Sequence, residues 1–378
     1  STGYVAEVDL VYPEELHELH NAFPLAPERL VITKDMLSPY ALSFDRHFLS
    51  AEKLVPNLQD KQNNTTHYRN LKLYLELGLR MTKVHRVLAF DQSAFMKAYI
   101  DKNTDKRKQA KDDFEKDFFK LLNNSVFGKT MENVREHIDL KLVTNAHRLK
   151  KLTAKPNCKF FERINDELAL VNMGKQNVLL NKPIYVGFSI LEVSKTLMYD
   201  FHYNKIMRRY GAERATLLFT DTDSLCYKIQ TENLYEDMHQ DRHFYDTSNY
   251  PAQHKLFSTV NGKVLGKFKD ETASVPPIEF VGLKAKMYSL LVTRSEPAKV
   301  TAKGVKRSWV DKNLTHENFK HVLENRDETY AQFYKFTSKR HTIHTSFLNK
   351  KCLDAYDDKR YVLDVGVTSL TYGHIDIP

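Results

Sequence analysis

Two aspartates, Asp221 and Asp223, lie two residues apart in the run FTDTDSLCY (219–227), directly after the apolar stretch ATLLF. On an extended backbone they would share one face. Carboxylates held side by side repel, so such a pair is either bound to a cation or solvated in a turn. Mg2+ is a hard ion that takes one or two carboxylates together with substrate phosphate oxygens. Asp is also a favoured turn residue, so a plain turn is the competing reading of this pair.

A second group of residues could serve the same chemistry. The run DDFEKDFFKLLNNSVFGKTMENVR (112–135) has helical spacing. Phe114, Phe118, Leu121 and Ser125 fall on one stripe; Lys116, Lys120, Asn124, Phe127 and Gly128 fall on another. Glycine costs about 1 kcal/mol in a helix interior, so Gly128 on a merely solvated face would be a poor choice. A cradle explains it: lysines neutralise phosphates, a ring packs on a flat base or sugar, and glycine admits a close approach. The competing reading is an amphipathic helix whose lysines point to water.

The whole chain agrees with an anionic partner. Its 378 residues carry 57 Lys and Arg against 48 Asp and Glu, a net charge of +9 and a pI near 9.1. That balance favours nucleic acid over a membrane surface, since no basic amphipathic helix stands out. With 42% hydrophobic and 28% charged residues the chain is globular, and its length suits two or three lobes. Cys158, Cys226 and Cys352 form no C-x-x-C, which suits a reducing compartment inside the cell, nuclear or cytoplasmic, and not secretion. No apolar run spans a bilayer.

The elements that must position these residues follow from pattern. GYVAEVDLVY (3–12) reads as a strand and residues 45–66 as irregular, with QDKQNNTTH a loop. NLKLYLELG (70–78) reads as a helix stopped by Gly78, and 79–90 as a strand. Residues 91–134 read as a helical hairpin whose turn is the polar DKNTDKR. Short strands fill 137–182, and 183–210 is one long helix. ATLLF and SLCYKI are strands joined at DTD. A polar stretch covers 230–255, strands lie around 263–270 and 279–294, and helices near 315–337.

Three motifs in order carry a resemblance. TDTDSLCY resembles motif C of the family B DNA polymerases, a D-T-D-S hairpin. KLLNNSVFG (120–128) resembles their motif B, K-x-x-x-N-S-x-Y-G, with Phe127 in the tyrosine place. KAKMY (284–288) resembles their K-x-Y motif. The likeness covers nearly the whole chain. It is closest to the protein-primed viral and organellar branch, and within it to polymerases of self-synthesising, Polinton/Maverick-type DNA transposons. It implies a mixed α/β (α+β) fold of right-hand architecture: an antiparallel palm sheet in 1–90 and 137–275, helical-hairpin fingers in 91–136, and a mixed thumb in 276–378.

The resemblance also implies roles. Asp223 would bind two catalytic Mg2+ ions, with Mn2+ able to substitute, and Asp221 would play a weaker part beside it. Lys120 and Asn124 would hold the incoming dNTP, with Lys116 and Lys108 as secondary phosphate contacts. Phe127 would lie under the nascent base pair. Gly128, Lys286, Tyr288 and Lys303, the last in TAKGVKRS (301–308), would hold primer-template DNA. A terminal priming protein is a further implied partner, and the working unit would be a monomer without a membrane.

One departure matters. Motif A, D-x-x-S-L-Y-P, which supplies the second metal-binding carboxylate, is not found. The nearest candidate, Asp9 in VDLVYP, has its tyrosine at +3 and lacks the serine, so 4–12 reads as the palm strand that follows motif A. The resemblance therefore implies that motif A and an exonuclease domain lie upstream of Ser1. Without them, the alternative is a chain that binds DNA without polymerising. His239 with His243, and His341 with His344, have metal-like spacing but polar flanks and no third ligand, and read as solvated. Cys226 reads as a packed thiol, and Trp309 as a packing residue of the thumb.

Overall fold

A computed structural model describes residues 1–44, 48, 50–294, 297–339, 342–363 and 366–378. Helices mix with antiparallel sheets, apart from a two-residue parallel pairing of Tyr245–Asp246 with Phe268–Lys269. The chain forms two compact units. The first comprises residues 1–95, 192–335 and 347–378; the second comprises 96–191 and 336–346. Among the described residues no helix is long and apolar enough to cross a membrane.

Strand β1 (Thr2–Val11) is central in a three-stranded sheet, between β2 (Lys61–His67) and β3 (Arg80–Asp91). Period-two alternation explains it: Ala6, Val8 and Leu10 are buried on one face, while Glu7 and Asp9 point the other way. β2 corrects the sequence reading of QDKQNNTTH as a loop. Its polar residues form an edge strand because β1 supplies the ladder, and Asn63 at φ +52° marks the irregularity in register. Helix α1 (Tyr68–Glu76) buries Leu73 and Tyr74, and Gly78 follows it at φ +105°, with a Leu16 methyl 2.9 Å from where a Cβ would sit. On β3, Val84, Val87 and Leu88 are exposed.

In the second unit, α2 (Lys97–Gln109) and α3 (Asp113–Thr130) pack as the expected hairpin. DKNTDKR is not its turn, however. Those residues continue α2, and the chain reverses at 110–112, where Asp112 caps α3 by accepting from the Glu115 N–H at 2.8 Å. The strands expected in 137–182 are β4 (Asp139–Val143), β5 (Cys158–Arg163) and β6 (Ala169–Met173), with β6 in the centre. Between β4 and β5 lies a helix the pattern did not show, α4 (Ala146–Thr153), capped by Asn145. It is short and lysine-rich, and only Leu149 and Leu152 reach the small core.

The long helix over 183–210 is three pieces: α5 (Ile184–Asp200), a π-helical turn at Phe201–Met207, and a further turn broken by Gly211 at φ +71°. Tyr199 and Tyr203 pack against the β1 core. Glu192 on α5 is buried and accepts from Asn70 Nδ2 at 2.8 Å and Thr66 Oγ1 at 3.2 Å, which ties the helix to α1 and β2. Strands β7 (Ala215–Asp221) and β8 (Ser224–Ile229) form a separate hairpin. The polar stretch 230–255 holds one further helix, Leu234–Gln240.

The strand stretch expected at 279–294 holds two strands, β9 (Glu279–Lys284) and β10 (Met287–Leu291), joined to β11 (Lys299–Ala302). Helix α6 (His316–Asn325) fits the sequence reading, but the expected helix does not run on to 337. Arg326 at φ +59° ends it, and β12 (Thr329–Lys339) pairs with β13 (Thr342–Leu353). Tyr, Phe and Thr dominate β12, and these fit a pleated surface better than a helix. Trp309 packs against the core shared by β9–β11, α6 and β13. Of the histidine pairs with metal-like spacing, His239 lies on the helix at 234–240 and His243 in a 3-10 turn, and neither joins a three-ligand group among the described residues; His341 lies outside the described residues.

Candidate active site

The β7–β8 hairpin presents the two aspartates at its tip. Asp221 is the last residue of β7 and pairs with Ser224, so only Thr222 and Asp223 form the turn. The Asp223 N–H donates to the Asp221 carbonyl at 2.7 Å, and Thr222 sits at φ +60°. A γ-turn about a positive-φ centre is rare and strained, more so at a β-branched residue. Such strain costs roughly 1–3 kcal/mol and concentrates at functional sites. Asp223 is exposed, and its carboxylate has no protein partner among the described residues. Behind the tip, Cys226 is partly buried and burial pushes its thiol up to about 11, which suits the packed, inert group expected.

Asp221 is held differently. Lys286 Nζ lies 2.9 Å from its Oδ1. Lys286 is in the two-residue turn between β9 and β10 at φ +62°, and its carbonyl accepts from the Lys303 N–H at 3.1 Å. Two residues on, Tyr288 stacks on Phe219 with ring centroids 4.2 Å apart and planes 20° from parallel. Phe219 is two residues before Asp221. Each strand therefore turns an i, i+2 pair to the other, giving an ion pair and a ring stack on adjacent rungs. Phe280 completes the stack, 5.8 Å from Phe219. The structure thus brings together Asp221, Asp223, Lys286 and Tyr288. Phe219 was not singled out in the sequence, although its period-two spacing to Asp221 matches that of Tyr288 to Lys286.

Helix α3 carries the second set. None of its residues is buried. Its half-buried row faces α2, where Tyr99 OH donates to the Leu122 carbonyl at 3.3 Å and Asn123 Nδ2 to Thr104 Oγ1 at 3.4 Å. Phe114, Phe118, Leu121 and Ser125 are exposed on one sequence stripe; on the other, Lys120, Asn124 and Gly128 are exposed while Lys116 and Phe127 are half-buried. The Lys120 and Asn124 side chains have no partner among the described residues, whereas Lys116 pairs with Asp113 at 2.8 Å and Lys108 lies 4.0 Å from Asp105. The Asp113 hydrogen bond raises the pKa of Lys116 and fixes it as a cation. A Cβ on Gly128 would meet nothing within 4 Å, so no neighbour in the protein requires glycine there. Beyond the helix, Lys129, Lys182 and His137 surround Glu132 at 2.7–3.0 Å, and their hydrogen bonds bring its carboxyl down to about 2.

Two other acidic positions bear on a metal site. The Asp9 carboxylate accepts from the Asn63 N–H at 2.8 Å and contacts His85 Nε2 at 2.7 Å, which lower its pKa in that order. It is a bonded residue of the β1 sheet, separate from the β7–β8 hairpin. Glu18, His374 and Asp376 bring ligand atoms within 4.8 Å of one another. There, His374 Nδ1 accepts from the Asp376 N–H at 3.2 Å, so the neutral ring carries its proton on the Nε2 that faces Glu18. In that tautomer neither ring nitrogen keeps a lone pair free for an ion, and Nε2 has no hydrogen-bond partner among the described residues.

No family model matches the sequence, and no curated protein matches it. Two solved structures align with the chain. Both are of Phi29 DNA polymerase. One is complexed with primer-template DNA and incoming nucleotide substrates: TM-score 0.49, 14% identity, covering 94% of this chain and 58% of that one. The other is the post-translocation binary complex with primer-template DNA, at TM-score 0.47 and 14% identity, covering 93% and 57%. The chain spans less than two thirds of Phi29 DNA polymerase.

Proposed function

We propose that this chain is a DNA-directed DNA polymerase that extends a primer by template-directed nucleotidyl transfer. The observation that carries the reading is the contact between the DTD hairpin and the K-x-Y segment, two motifs more than 60 residues apart, through Asp221–Lys286 and Phe219–Tyr288. Asp223 offers a free carboxylate, and Asp221 offers one with an oxygen held by Lys286. This donor set fits a hard ion such as Mg2+, or Mn2+, completed by substrate phosphates. Two such ions, when bound, would stabilise charge during in-line attack of the primer 3′-hydroxyl on the α-phosphate. Lys120 would meet the triphosphate of the incoming dNTP, with Asn124, Lys116 and Lys108 supporting it. Phe127 and Gly128 would lie along the nascent pair. Lys286, Tyr288 and Lys303 would hold the primer strand through its backbone, so binding is salt-sensitive and largely independent of sequence.

The same reading takes 1–90 and 137–275 as palm, 91–136 as fingers and 276–378 as thumb. It places the chain in the protein-primed branch, virus-like or transposon-borne, with a terminal protein as partner. It would act as a monomer inside the cell, in nucleus or cytoplasm. The order and spacing of the three motifs support the division into palm, fingers and thumb, and the absence of a C-x-x-C among the three cysteines supports the reducing compartment. A second reading, DNA binding without extension, is favoured by Asp9, whose carboxylate is already committed to Asn63 and His85.

The test is primer extension on a primed template with Mg2+ and four dNTPs, beside Asp223→Asn. The expected result is a fall of at least about 10²-fold in the variant with its melting temperature kept. Equal extension by a folded Asp223→Asn chain would overturn the reading. Salt-sensitive binding with no extension by the wild type would select the second.

A further inference from the structure

We infer that Lys286 is a primer-operated latch on the metal site: it occupies Asp221 in the free protein and releases it when a primer end arrives. This rests on the polymerase reading and adds an order of assembly to it.

The geometry separates the two aspartates. Among the described residues the Asp223 carboxylate has no partner, whereas Asp221 has a lysine ammonium 2.9 Å from Oδ1. An ammonium at that distance competes with a divalent cation for the same carboxylate oxygen. The backbone of Lys286 is fixed, by its turn between β9 and β10 at φ +62° and by the bond from Lys303 N–H. Its side chain is not: Lys286 is 46% exposed and Asp221 34%. An ion pair this exposed is weak and is readily exchanged for another anion. A primer phosphate is such an anion, and a flexible four-carbon stem can follow it. The Phe219–Tyr288 stack holds the two turns together while the ammonium moves, so the exchange needs no change of fold. Asp221 Oδ1, left with the Thr222 hydroxyl at 3.3 Å as its side-chain partner among the described residues, can then join Asp223, so the two carboxylates of the hairpin face the ion together only on a bound primer.

The test reads metal binding instead of turnover. Mn2+ affinity is measured by electron paramagnetic resonance on the full chain. It is compared with and without a primer-template whose primer ends in a 3′-deoxynucleotide, against the same DNA alone. The wild type is expected to bind Mn2+ about three- to fivefold more tightly with this DNA. Lys286→Met should bind Mn2+ without DNA as tightly as the wild type does with it, and should lose the dependence on DNA. Lys286→Arg keeps the ion pair and should keep the dependence. The latch is overturned if Lys286→Met gains no Mn2+ affinity in the absence of DNA, or if wild-type affinity ignores the primer-template. Failure of the underlying reading looks different: Asp223→Asn would then leave Mn2+ binding untouched, or the wild type would not bind primed DNA at all.

Discussion

The DTD hairpin and helix α3 prepare their functional groups in opposite ways. At the hairpin, tertiary contacts set the geometry: Thr222 is held at positive φ, Asp221 is bonded to Lys286, and Phe219 lies under Tyr288. On α3 the backbone alone sets it. Lys120, Asn124 and Gly128 stand on an exposed face; among the described residues the Lys120 and Asn124 side chains have no polar partner, and a Cβ on Gly128 would meet nothing within 4 Å. The difference suits the tasks proposed for each. Metal ligands must hold fixed positions against mutual repulsion, at some cost in strain. A triphosphate is long, flexible and strongly charged, and a helical row of donors can meet it without support from neighbours.

Three perturbations would sharpen or break this contrast. The largest effect is expected from the two lysines. Lys120→Ala should lower kcat/KM for the nucleotide on the order of 10²-fold while leaving primer-template affinity in place. Lys286→Ala should weaken primer-template binding and reduce its salt slope by about one, as the loss of a single phosphate contact does. Steady-state kinetics and binding titrations over salt would check both, and exchanged phenotypes would undo the assignment.

Acid comes next. Burial lowers His20 to about 4, helped by the nearby His202 and His17, and burial alone lowers His202 to about 4. His202 Nδ1 bonds Tyr227 OH at 2.9 Å, and Tyr227 is part of β8. Both rings are neutral in the fold and protonate more readily when unfolded, where their pKa is about 6.5. Stability is therefore full above about 6.5 and falls as the pH drops toward about 4, by a few kcal/mol in all. Hydrogen exchange at pH 5 should show the β7–β8 hairpin losing protection while α2 and α3 keep theirs. Equal loss in both would remove the contrast.

The smallest effect is the most diagnostic. Gly128→Ala places a methyl in open space on a helix, so it should stabilise the second unit by up to about 1 kcal/mol. If the α3 face receives DNA or nucleotide, the same variant should extend primers less well. Thermal melts and extension assays that moved in the same direction would make Gly128 a mere helix weakness.

Much of this was legible before any coordinates, and the exceptions share a cause. Alternation in 3–12 and helical spacing in 112–130 are local properties, so β1 and α3 followed from the pattern. Residues 61–67 were not legible as a strand, because Lys61, Asn63 and Asn64 disfavour one and only Thr65 and Thr66 favour it; β1 beside them makes it one. DKNTDKR looked like a turn by composition, yet its lysines and arginine are good helix formers and nothing in it breaks a helix. At the site, motif types and order pointed to Asp221, Asp223, Lys286 and Tyr288, but the Asp221–Lys286 pairing and the part played by Phe219 depend on strands 60 residues apart meeting. Asp9, the nearest candidate for a motif A carboxylate, lacked that motif's spacing and read as a strand residue; its carboxylate bonds Asn63 and His85.

One feature of the first unit sets a timetable for the whole chain. Thr371 N–H and Oγ1 bond Asn21 across 350 positions, Arg360 reaches the same Asn21, and Ile375 N–H bonds His17 across 358. At ribosomal speed the partners of Asn21 emerge roughly 20–70 s after it does. Until then the early segment waits with its acceptors unpaired and part of its apolar surface uncovered. Such long-range closure slows folding and lengthens exposure to aggregation and to chaperones. Residues 360–375 are thus among the first things that residues 17–21 need, although they are translated 339 to 358 positions later.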